Sequence, residues 1–98
     1  MKVFKKPFAF EWDEGNKNKN FIKHKVTDEE CEEVFFDSKK KTAKDIFHSN
    51  KEERNIIIGK TKLGRYLFLV FTTRENKIRI ISARDLNRKE RSLYEKED

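Results

Sequence analysis

Ninety-eight residues, 35% of them hydrophobic and 43% charged, leave room for one domain spanning 1–98 with a modest core. The net charge of +6 favours a polyanionic or acidic partner, while nine Phe, two Tyr and one Trp argue against a disordered tail. A lone Cys31 excludes an internal disulfide and two separated His do not make a zinc site, so no metal or cofactor is expected; no signal-like start and no apolar run of about 18 residues means no membrane and a cytoplasmic protein.

In chain order, Phe8-Ala9-Phe10-Glu11-Trp12 alternates with aromatic residues on one side. Period two predicts a short strand that sends Phe10 and Trp12 to the core. Asp13 is placed to cap a helix running to about His24, with Phe21 and Ile22 as its apolar anchors. Thr27-Asp28-Glu29-Glu30 fits a capping box, and its acids suit the positive end of a helix. Cys31, Val34 and Phe35 then form its buried stripe. Residues 27–37 carry six acids and no base, against seven Lys and three acids in residues 1–26. That acidic stretch reads as a solvated face or as a dock for a basic segment.

Ser38-Lys39-Lys40-Lys41 reads as an exposed loop, with a short strand near 44–47. Three strands follow at 54–60, 63–73 and 77–84, joined by tight reversals into an antiparallel meander. The run 66–71 is apolar on both faces, which predicts a central strand covered on both sides. Asn87 and Glu90 cap a charged terminal helix ending near Glu95. The order is that of an α+β fold, with the helices gathered on one side of a sheet.

Four blocks are similar to one family. They are Phe10-Glu11-Trp12-Asp13 with Asn20, Lys23-His24 and Val26; His48-Ser49 with Glu52-Glu53-Arg54 and Ile58-Gly59; Gly64-Arg65 leading into Val70-Phe71-Thr72; and Arg79-Ile80-Ile81-Ser82-Ala83-Arg84 with Glu90 and Tyr94. In order and spacing they resemble the BrnT toxins. The resemblance implies a RelE-like fold, cleavage of RNA, and growth arrest through inhibited translation. It also implies a hetero-oligomer with a BrnA-type ribbon–helix–helix antitoxin that binds its own promoter. Asn16 stands where the family commonly has Lys, with Lys17 one position later; Lys25, Asp28 and Cys31 also depart from the common residues.

A ribonuclease that works without metal needs a base for the ribose 2′-OH, cations for the crowded phosphorane, and an acid for the departing 5′-oxygen. His24 is the first candidate, as base or acid, because imidazole exchanges protons near neutral pH; its plainer role is to bond the open carbonyls of a helix end. Arg54, Arg84 and Tyr94 complete the candidate catalytic group, and His48 stands beside it in the second block. Arg54 could instead pair with Glu53, Arg84 with Glu90, and Tyr94 could simply dock its helix. Lys17, Lys23, Arg79 and Arg91 are the candidate RNA contacts. An endoribonuclease toxin is the leading reading. A basic RNA-binding module without catalysis, or a structural co-repressor partner of a DNA-binding protein, are the alternatives.

Overall fold

A computed structural model describes residues 9–46 and 52–96. Two reciprocal capping boxes start its two best-anchored helices. The Thr27 hydroxyl accepts from the Glu30 amide at 3.0 Å while the Glu30 carboxylate accepts from the Thr27 amide at 2.9 Å, opening α2, Asp28–Val34. Asn87 and Glu90 repeat the exchange at 2.8 and 3.0 Å to open α3, Arg88–Glu95. Each satisfies two amides that a helix start would otherwise leave open.

Four strands, β1 (Lys41–Lys44), β2 (Asn55–Lys60), β3 (Tyr66–Arg74) and β4 (Lys77–Asp85), form an antiparallel meander in chain order. Glu75 and Asn76 both hold positive φ, 49° and 66°, as a two-residue hairpin turn requires. The first strand begins at Lys41, earlier than the expected 44–47, because the turn through Ser38 and Lys39 already points the chain at β2. Side chains alternate along β3. Leu67, Leu69 and Phe71 are fully buried against Val26, Cys31, Val34 and Phe35, with Ile57, Ile80 and Ala83 beside them. Burying each large apolar side chain contributes about 1.5–3 kcal/mol. Phe35 sits edge-on to both Phe10 and Phe71, with centroids 5.4 and 5.1 Å away.

The other face carries Tyr66, Phe68 and Val70, which are only half-buried. Here the structure departs from the expectation that all helices share one side. Tyr94 of α3 meets Tyr66 edge-on at 5.4 Å, so α3 lies across from α2.

The N-terminal segment also differs. Instead of a strand, residues 9–11 make one parallel bridge, Phe10 to Ile78, along the open edge of β4. The helix expected after Asp13 is delayed. Asp13 caps only a turn, accepting from the Gly15 amide at 2.8 Å, and Asn18 at φ 60° interrupts the helical path. The helix proper, α1, is Lys19–His24. Phe21 and Ile22 do not anchor it, being 45% and 75% exposed. Asn20 does: it is buried, and its Oδ1 accepts from the Ala83 amide of β4 at 2.9 Å.

Nor is the acidic α2 a free face. Glu32 accepts from the Trp12 indole at 2.7 Å, Glu33 from the Lys62 amide at 3.0 Å, and Asp28 from the Asn18 amide at 3.2 Å. Its acids brace the loops around it.

Candidate active site

Where α1 runs along β4, the open face of the sheet leaves a hollow of about 390 Å³. Its walls are polar. Lys19, Lys23 and His24 come from α1, Arg54 from the residue before β2, Arg74 from the end of β3, and Arg79 and Ser82 from β4, with Glu52 below. A β-bulge shapes it. Val70 pairs with Ser82 but Phe71 pairs with Ile80, so Ile81 is the extra residue, and all three β4 residues line the hollow.

Asn16 builds the hinge between loop and sheet. It is buried, donates from Nδ2 to the carbonyls of Glu11 at 3.0 Å and Ile80 at 3.1 Å, and accepts from the Asp13 amide at 2.9 Å. A lysine at that position could not make the accepting bond. Lys17, the next residue, is exposed and does not line the hollow. Lys17 precedes the helix, so it shares no face of α1 with Asn20 and His24.

The arginines at the floor are partly neutralised. Arg79 donates to Asp13 at 2.8 and 3.0 Å and to Glu11 at 3.0 Å, with its side chain 14% exposed. Arg74 forks onto Glu52 at 2.9 and 2.8 Å. The Arg79 fork holds the Asp13 carboxyl below the usual carboxylate range, and Arg74 does the same to Glu52. Both acids are thus anions at neutral pH and weak proton carriers there. Lys19 and Lys23 have no ion pair among the described residues. Asn20 Nδ2 is buried with no hydrogen-bond partner, a spare donor on the wall of the hollow.

His24 is exposed at the end of α1, and Arg65 fixes that end. Its guanidinium donates to the His24 carbonyl at 3.1 Å and to the Lys25 carbonyl at 2.7 Å. Asp85 takes two further bonds at 2.7 and 3.1 Å, and Glu30 two at 3.2 and 3.4 Å. The bond from Arg65 holds the Asp85 carboxyl below its ordinary range.

The structure thus brings together His24, Lys23, Arg54 and Arg79, and leaves Arg84, Tyr94 and Arg91 elsewhere. Arg84 forks onto Glu90 at 2.7 and 2.8 Å and lies over the Phe68 ring at 4.1 Å. The Tyr94 hydroxyl donates to Asp37 at 2.6 Å; burial first, then that bond, raises its pKa. Arg91 lies over the Tyr66 ring at 4.0 Å. None of these lines the hollow. Arg84 and Tyr94 thus do not join His24 and Arg54 at the hollow: Arg84 shares the face of Ser82 but lies two residues further along β4, where Glu90 holds it, and Tyr94 is held by Asp37. His48 lies outside the described residues.

Sequence reasoning missed Lys19 and Arg74, and it gave no site role to Asn20 and Arg65, which stand in the matching blocks. Among the described residues no group of His, Cys, Asp and Glu is arranged to hold a metal ion, and no helix is long and apolar enough to cross a membrane.

A family model described as "Ribonuclease toxin, BrnT, of type II toxin-antitoxin system" matches residues 12–90. No curated protein matches the chain. The matched span includes every residue lining the hollow and ends before Arg91 and Tyr94.

Proposed function

The chain belongs to the BrnT family of type II ribonuclease toxins, and on that premise we propose that its α1–β4 hollow is the cleavage site of a metal-independent endoribonuclease. The observation that carries this reading is that His24 shares one hollow with Lys19, Lys23 and Arg54. A proton-exchanging imidazole and several cations are the minimum that phosphodiester cleavage requires.

The chemistry runs through the RNA itself. The 2′-oxygen attacks the adjacent phosphorus, an O–P bond forms, and the bond to the 5′-oxygen breaks, leaving a 2′,3′-cyclic phosphate and a 5′-hydroxyl. His24 takes the 2′ proton and passes it to the leaving 5′-oxygen, or carries out one of these transfers while water carries out the other. Lys19, Lys23 and Arg54 stabilise charge on the non-bridging oxygens, and Asn20 Nδ2 offers a further donor at the wall. Arg74 and Arg79, held by Glu52 and Asp13, keep the floor rigid and close to neutral. Arg84 and Tyr94 attach α3 to the sheet and do not touch the scissile phosphate.

The toxin arrests growth by cutting RNA needed for translation, and a BrnA-type ribbon–helix–helix antitoxin silences it in a hetero-oligomeric complex. An apolar groove of about 640 Å³ supports the protein partner. Ile56, Ile58 and Phe68 of the sheet and Leu93 of α3 line it. Leu93 is also more than half exposed, an apolar side chain that a partner could cover. A RelE-like architecture and a cytoplasmic setting are part of the same proposal, which the family membership supports.

Incubating the purified protein with end-labelled RNA in EDTA tests this. Cleavage with cyclic-phosphate ends is expected. A gel shift without cuts would make the protein a binding module, and neither result would leave only the co-repressor role.

A further inference from the structure

A second basic hollow, of about 420 Å³, lies where the end of β2 meets the C-terminus of α3. Lys39, Lys40 and Lys41 enter it from the turn and β1, Lys60 from β2, and Lys96 from the end of α3. It shares no lining residue with the His24 hollow. Lys60, level with Tyr66, stands on β2 and Ser82, level with Val70, on β4; two strand spacings across and four residues along put them roughly 16 Å apart.

Two carboxylates, Asp37 and Glu95, stand against its five lysines. Asp37 accepts from the Tyr94 hydroxyl at 2.6 Å, the Lys60 amide at 2.8 Å and the Lys39 amide at 3.0 Å, and its charge offsets only part of that of Lys60. Glu95 faces Arg91 at 3.6 Å. Lys41 caps α3 through the carbonyls of Leu93 and Lys96. Lys39, Lys60 and Lys96 have no ion pair among the described residues, and they come from three separate elements. The contrast with the cleavage hollow is informative. There, Glu52, Asp13 and Glu11 answer Arg74 and Arg79, which weakens the attraction for a polyanion.

From this we propose that the Lys39–Lys60–Lys96 hollow is a phosphate-binding exosite that holds the backbone of the RNA strand away from the scissile bond; it rests on the ribonuclease reading above. The cations at Tyr66 indicate phosphates and not bases. Arg91 lies over that ring at 4.0 Å, Lys60 stands 5.9 Å from its centre and Tyr94 meets it edge-on, so the ring presents cations to a strand in place of an open stacking platform. The exosite is therefore indifferent to sequence. It sets how tightly a long strand is held, and leaves the choice of cleavage site to the other hollow.

The test uses the full chain and the triple variant Lys39→Ala/Lys60→Ala/Lys96→Ala, all at exposed positions. A second triple variant, Lys62→Ala/Lys77→Ala/Lys89→Ala, removes the same charge from exposed positions outside both hollows. Binding of a 2′-O-methyl single-stranded oligonucleotide, long enough to span both hollows, is followed by anisotropy across a salt series. Cleavage of an unmodified trinucleotide is measured in parallel. The exosite variant should bind about tenfold more weakly, with its log–log salt slope reduced by about 2, as three lost phosphate contacts imply. Its trinucleotide kcat/KM should match wild type, and the control variant should keep most of its affinity. Equal weakening in both variants, unchanged affinity in the first, or an effect seen only with duplex DNA overturns the exosite. Wild-type binding that depends on these lysines without any cleavage would refute the ribonuclease reading and leave the exosite standing. Absence of wild-type binding refutes the exosite.

Discussion

The Arg65 guanidinium donates to the backbone carbonyl of His24 at 3.1 Å, across 41 positions of chain. Through it the C-terminus of α1 is tied to Asp85 on β4 and to Glu30 on α2. Cations near a helix C-terminus satisfy open carbonyls and oppose the macrodipole. This one contact fixes where the imidazole stands.

Arg65→Ala should therefore cost more activity than stability. The lost bonds are charge-assisted but a quarter exposed, so about 2 kcal/mol is expected after allowing for solvent screening. Cleavage measured well below the melting temperature should fall at least about tenfold as His24 loses its register. Arg65→Lys keeps the charge but not the fork, and should recover stability more than rate. Thermal melts alongside cleavage rates at 20 °C, roughly where the fold is still intact, separate the two effects.

Arg84→Ala should do the opposite. It removes the stack on Phe68 and the fork to Glu90, a partly exposed pair worth on the order of 1 kcal/mol. Melting should drop by roughly 4–8 °C per kcal/mol lost, while trinucleotide cleavage stays at the wild-type rate. A cleavage defect without a melting change would place Arg84 in the chemistry.

The Tyr94–Asp37 bond gives stability two pH limits. Burial alone would raise the Asp37 carboxyl, but the Tyr94 hydroxyl and the Lys39 and Lys60 amides overcome it and hold that carboxyl low. Its contribution is present above the unfolded value of about 3.9 and is lost as pH falls through the lower folded value. Tyr94 is shifted upward by burial and by Asp37. Its contribution is present below the unfolded value of about 10 and is lost as pH rises through the higher folded value. Urea midpoints should be flat between those limits and fall outside them. Asp37→Asn should blunt the acid limb, and Tyr94→Phe the alkaline one.

Gly59 marks the closest approach of β2 to α2. A Cβ there would lie 2.8 Å from Val34 Cγ1 and 3.3 Å from the Val34 carbonyl. Gly59→Ala should destabilise by about 1–3 kcal/mol, seen as a lower urea midpoint with an unchanged slope.

What could be read from the sequence was what depends on near neighbours. The two capping boxes reach only from i to i+3, and both helices start where Thr27 and Asn87 predict. The strands β2 to β4 show because their apolar runs and the reversals between them are local, whereas the alternation at 8–12 gives only a single bridge. α1 was misjudged because its docking depends on distant atoms. Asn16 reaches the Ile80 carbonyl across 64 residues and Asn20 the Ala83 amide across 63. Two asparagines in a polar stretch give no periodic signal of burial. The catalytic candidates divided for the same reason. His24 and Arg54 come from separate elements to line one hollow, whereas Arg84 finds Glu90 six residues on. A strand end beside a helix start supplies a local acid as readily as a substrate.

Single-turnover cleavage of the trinucleotide by His24→Ala, in EDTA and beside wild type and Arg84→Ala, goes to the heart of the proposal. The His24 variant should melt like wild type, because its side chain is exposed, and should cleave about a hundredfold or more slowly. Wild-type cleavage by His24→Ala, or its slowing only through lost fold, would mean that the α1–β4 hollow is not where RNA is cut.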